Sequence, residues 1–91
     1  MSLINKQLAE ILKNARKRSR LTQLQVAKAF GYDSQQFISM VELRRSKPPY
    51  NVLAVMFKLY KMTKAEQKQV RQLLIDDFIS KLDKGLTSGT P

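Results

Sequence analysis

Histidine and cysteine are both missing from this chain, while glutamine, serine, arginine and lysine are plentiful. A general base would therefore be one of seven carboxylates or a lysine of shifted pKa. The carboxylates are scattered, and the adjacent pair Asp76 and Asp77 sits in a helical pattern, where neighbours diverge. Gly31, Gly85 and Gly89 stand alone, so no glycine-rich phosphate loop is present. The composition argues against an enzyme and offers no catalytic residues, no metal site and no cofactor. What the residues can do is hydrogen-bond and attract anions. Lys and Arg number 17 against 7 Asp and Glu, a formal charge of +10. Such a chain favours polyanions: DNA, RNA or an anionic membrane.

The elements that must carry these groups read as helices. Leu8, Ile11, Leu12 and Ala15 form one stripe, placing a first helix from about Leu3 to Arg18 with Ser2 as its cap. Thr22 caps a second helix with Val26, Ala27 and Phe30 inward, and Gly31 suits a left-handed stop. Tyr32 and Asp33 make a turn. Ser34 caps a third helix, Ser34 to Leu43, carrying Phe37, Ile38 and Val41. Pro48 and Pro49 forbid its continuation, and Pro49 suits the first turn of a fourth helix burying Val52, Leu53, Met56 and Leu59. Thr63 to Glu66 is a capping-box pattern opening a long fifth helix, stopped near Lys84 by Gly85. No alternating strand pattern competes. The expected fold is all-α: a compact bundle of about five helices. Residues 1–84 form one domain and 85–91 a flexible tail.

The densest signal runs through the second and third helices. In order it reads Leu21-Thr22-Gln23, Val26-Ala27, Gly31, Ile38-Ser39, Val41-Glu42, Arg45 and Pro48, with Arg16 seven residues before Gln23. From about Leu12 to Leu59 the chain resembles the repressor/Cro-type (lambda-repressor-like, xenobiotic-response-element type) helix-turn-helix family of bacterial and phage regulators. One departure is visible. Gly31 to Glu42 is one residue longer than the family's usual spacing, and the extra residue falls in Tyr32-Asp33. A subset of similar regulators has a Gly-Tyr turn, an aromatic-Ile-Ser run and a Pro-Pro pair, as here.

The resemblance implies a transcriptional regulator, a repressor acting by operator occupancy, with the third helix in the major groove of double-stranded DNA. Gln35 and Gln36 then read bases, since a glutamine amide pairs with adenine N6 and N7. Ser39 lies one turn on and reaches a base or phosphate. Met40 is either partly buried or set against a thymine methyl. Gln23 and Ser34 meet phosphate at helix starts, and Arg44, Arg45 and Lys47 do so from the following loop. In the family the residues matching Arg16 and Glu42 link the first helix to the recognition helix, and Arg16 keeps donors for phosphate. Lys17, Arg18 and Arg20 read equally as a solvated face.

The fifth helix has more apolar residues than one face needs. Val70, Leu73, Leu74 and Phe78 lie at core spacing; Ile75, Ile79 and Leu82 form a second stripe. The second stripe suggests a homodimer. An antitoxin-like interaction module, holding a protein partner on this helix and autoregulating through DNA, is the alternative. No apolar run is long enough to span a bilayer and no signal-peptide pattern opens the chain, so the expected setting is cytoplasmic and nucleoid-associated.

Overall fold

The computed structural model describes residues 6–88, and among them there are five helices and no strand. They are α1 (Lys6–Arg18), α2 (Gln23–Ala29), α3 (Gln36–Glu42), α4 (Tyr50–Leu59) and α5 (Lys64–Ser88). The all-helical bundle expected from periodicity is observed. The Ser2 cap and a start at Leu3 lie outside the described residues.

Local chemistry explains where the helices begin. At α2 the Thr22 hydroxyl accepts from the Gln25 N–H at 3.1 Å, while the Gln25 side chain accepts from the Thr22 N–H at 2.8 Å. At α5, Thr63 and Glu66 make the same reciprocal pair at 3.1 and 2.9 Å. Each box satisfies two amides that the helix itself leaves unpaired. The start of α3 departs from expectation. Gln35, not Ser34, is the N-cap, and its side chain makes no cap bond. The Ser34 hydroxyl reaches the Gln36 N–H only at 3.4 Å.

The helix ends share one device. Arg20, Gly31, Arg44 and Lys61 all have positive φ, at 59°, 83°, 66° and 50°. Around each, two backbone bonds fold back onto the last turn, such as Leu21 N to Arg16 O and Arg20 N to Lys17 O. Tyr32 to Ala27, Arg45 to Met40 and Met62 to Phe57 repeat the longer bond. This is the Schellman stop, which favours glycine. Three of the four positions here are cations, each giving up stability on the order of 1 kcal/mol relative to glycine.

The core gathers Leu8, Leu12 and Ala15 of α1, Val26 and Ala27 of α2, Ile38 and Val41 of α3, Val52, Leu53 and Met56 of α4, and Val70 of α5. Tyr60 and Met62, at the α4–α5 junction, are buried too, although the apolar stripes do not include them. Ser19 donates to the Tyr60 carbonyl at 2.7 Å, tying the end of α1 to the end of α4. Burial, followed by the nearby Glu42 charge, pushes the Tyr60 phenol well above its ordinary range. Two expectations for α5 are corrected. Gly85 does not stop it, since the helix continues to Ser88 and Gly85 has no left-handed φ. A lone glycine costs a helix only about 1 kcal/mol. Phe78 is not a core residue; it is 63% exposed, because the core ends near Leu74 and the helix runs on past it.

α5 is anchored at its start by a forked ion pair, Arg18 to Glu66 at 2.7 and 2.9 Å. Arg18 and the Thr63 amide hold the Glu66 carboxyl down to about 2. The stability it adds is complete above its ordinary value of 4.5 and is lost as pH falls toward about 2. Arg18 is half exposed, so solvent screens the pair and its contribution is small. Glu66→Gln keeps the cap geometry, as Gln25 does at α2. The stability gap between wild type and this variant in urea should therefore shrink as pH drops from neutrality toward about 2; a gap independent of pH would sink the assignment.

Candidate nucleic-acid interface

The solvent face of α3 follows from its core face. Ile38 and Val41 are fully buried, so the helix turns Gln36, Ser39, Met40 and Leu43 outward. Gln35 and Gln36 are exposed, and Ser39 and Met40 are half-buried. Spacings of three and four put these residues on one side. The result is a short row of neutral side chains able to donate and accept. Leu43, 60% exposed, extends the row beyond the residues expected to form it. Its place seven residues after Gln36, on the same face, is the signal that could have found it.

The turn before α3 is held by rings. Phe30 stacks on Tyr32 with centroids 6.1 Å apart, and Tyr32 meets Phe37 edge-on at 5.5 Å. Tyr32 thus has a structural role: its ring bridges the end of α2 and the first turn of α3. Asp33 is exposed beside it.

Behind α3 lies a buried clamp. Arg16 Nε donates to Glu42 Oε2 at 2.6 Å, and Arg16 Nη2 to Glu42 Oε1 at 3.0 Å. Arg16 Nη1 donates to the Leu21 carbonyl at 2.7 Å. Gln23 Nε2 completes the set, donating to Glu42 Oε1 at 3.0 Å. The two charged side chains are only 9% and 5% exposed. α1, α2 and α3 are therefore locked through one carboxylate. Each Arg16 nitrogen has a protein partner, so the clamp positions the exposed row rather than forming part of it. Gln23 is likewise engaged, with its amide turned toward Glu42.

The cations sort by partner. Arg45 is exposed just after α3, and Arg20 just before α2, and neither makes an ion pair among the described residues. Arg44 is half-buried between them in the chain's second left-handed cation stop. Lys47 turns toward α5 instead: its ammonium lies 3.6 Å from Asp77 and 6.0 Å from the Tyr50 ring. Lys81, on the next turn of α5, shares Asp77 at 3.0 Å. These two lysines, Lys81 first, hold the Asp77 carboxyl below its usual range. Arg18 is given to Glu66 of α5. The sequence leaves Arg20 undecided; its positive φ and lack of an acidic partner single it out as a free charge next to the start of α2.

Among the described residues no three carboxylates converge to hold a metal ion. No helix there is long and apolar enough to cross a membrane. Comparison with protein-family models, curated proteins and solved structures gave no match. The site must be interpreted from its own geometry.

Proposed function

We propose that the protein is a sequence-specific DNA-binding regulator, a repressor that acts by occupying its operator. In this reading α2 and α3 form a helix-turn-helix, and α3 lies in the major groove. The observation that carries it is the neutral hydrogen-bonding row on α3, backed by the buried Arg16–Glu42–Gln23 clamp. A binder using charge alone gains most from lysine and arginine at these positions. Glutamine and serine instead match base edges, where donors and acceptors are ordered. Arg20, just before α2, and Arg44 and Arg45, just after α3, supply phosphate contacts. Lys47 can join them at the cost of an exposed ion pair, which is about 1 kcal/mol or less.

Selection from random double-stranded DNA tests this directly. It should enrich a defined short motif. With about six phosphates neutralised, affinity should fall by roughly three decades over a few-fold rise in salt. The selected site should hold an advantage over random DNA throughout that range. Equal affinity for selected and random DNA at every salt concentration would reject sequence reading.

A further inference from the structure

The outer half of α5 carries an apolar row that the other described residues leave about half exposed or more. Ile75, Phe78, Ile79 and Leu82 are 50%, 63%, 49% and 51% exposed, and their spacing of three, four and seven places them on one helix face. Tyr50, 69% exposed, extends the patch from α4. Between the two helices, Tyr50, Arg71, Leu74, Ile75 and Phe78 line an open groove of about 360 Å³. Exposed apolar surface of this kind is unfavourable in a lone chain, since each such side chain gains about 1.5–3 kcal/mol on full burial.

Charge identifies the occupant. The chain carries +10, and copies of it repel one another. Yet three of its seven carboxylates, Asp76, Asp77 and Asp83, stand among the eleven residues from Ile75 to Gly85, against two lysines there and Arg71 in the groove. The surface around the row is therefore close to neutral. An acidic partner would be matched by a cationic rim, and this rim is not cationic. A second copy of the same chain is matched by a patch where the overall repulsion has been locally removed. Area agrees: the five side chains expose on the order of 500 Å² per copy, so pairing two withdraws about 1,000 Å², the lower bound of a specific interface.

We infer that the protein is a homodimer joined through the outer half of α5, with Phe78 and Ile79 at the centre of the interface. The inference does not rest on the DNA-binding reading, and it is tested without DNA. Sedimentation equilibrium of the full chain at about 100 μM should give a dimer, since a micromolar Kd makes association nearly complete there. Ile79→Glu and Phe78→Glu should each give a monomer with unchanged helical circular dichroism. Leu43→Glu, on the α3 face, should remain dimeric. A wild-type monomer at this concentration would overturn the inference and leave the row to a different protein. A dimer that survives both glutamate substitutions would overturn it as well, by placing the interface elsewhere.

Discussion

Glu42→Ala is expected to lower the stability of the fold by about 3–5 kcal/mol, the usual cost of removing one member of a buried ion pair. The loss comes less from the bonds removed than from what remains. Arg16 would keep its charge at a site only 9% exposed, with the Leu21 carbonyl as its remaining partner. Gln23 would lose its acceptor at the same time. A domain of this size has about 5–15 kcal/mol in all, so the variant should be close to unfolding at physiological temperature. The double variant Arg16→Met, Glu42→Leu should recover much of the loss, because two apolar side chains leave no orphaned charge. Urea denaturation of wild type and both variants decides it. A single-variant loss under about 1 kcal/mol would mean that the pair is solvated in solution and does not fix α3.

Removing the exposed glutamines should have the opposite profile, large for binding and negligible for folding. Gln35 and Gln36 make no side-chain bond that closes α3, and both are exposed. Replacing each with alanine should leave the melting temperature nearly unchanged. Affinity for the selected site should fall by about 1–3 kcal/mol for each glutamine–base pairing removed, or roughly five- to 150-fold. Affinity for random DNA should hardly move, so the specificity ratio collapses. Arg45→Ala provides the contrast: it should weaken all sequences alike and reduce the salt slope by about one. Unchanged preference in the glutamine variants would mean that α3 is not the reading element.

Much of this fold is legible in the sequence because the signals are local. Thr22 and Thr63 announce their helices through side chains that bond within one turn. The stripes of α1 to α4 mark buried faces because each helix has one such face. The Arg16–Glu42 link follows from the family resemblance, and its depth of burial only from the structure. What the sequence hides is whatever depends on where the core ends. Phe78 has the spacing of Val70 and Leu74, and periodicity cannot tell that the other helices stop short of it. Gly85 looks like a stop, but a stop needs the returning backbone bonds seen after α1 to α4, and residue type alone does not supply them. Conversely, Arg20, Arg44 and Lys61 occupy real stops with residues that no propensity scale would choose. Serine suits a cap, so Ser34 reads as the start of α3; the aromatic bridge through Tyr32 shifts that start instead.

Those three cationic stops also set a limit on how this protein could be hardened. An engineer following helix-end statistics would install glycine at Arg20, Arg44 and Lys61. The backbone would relax at each, and the chain would become more durable. The same changes would remove three of its 17 cations and take the formal charge from +10 to +7. Electrostatic attraction and resistance to heat are thus coupled at the same residues, and improving one by this route erodes the other.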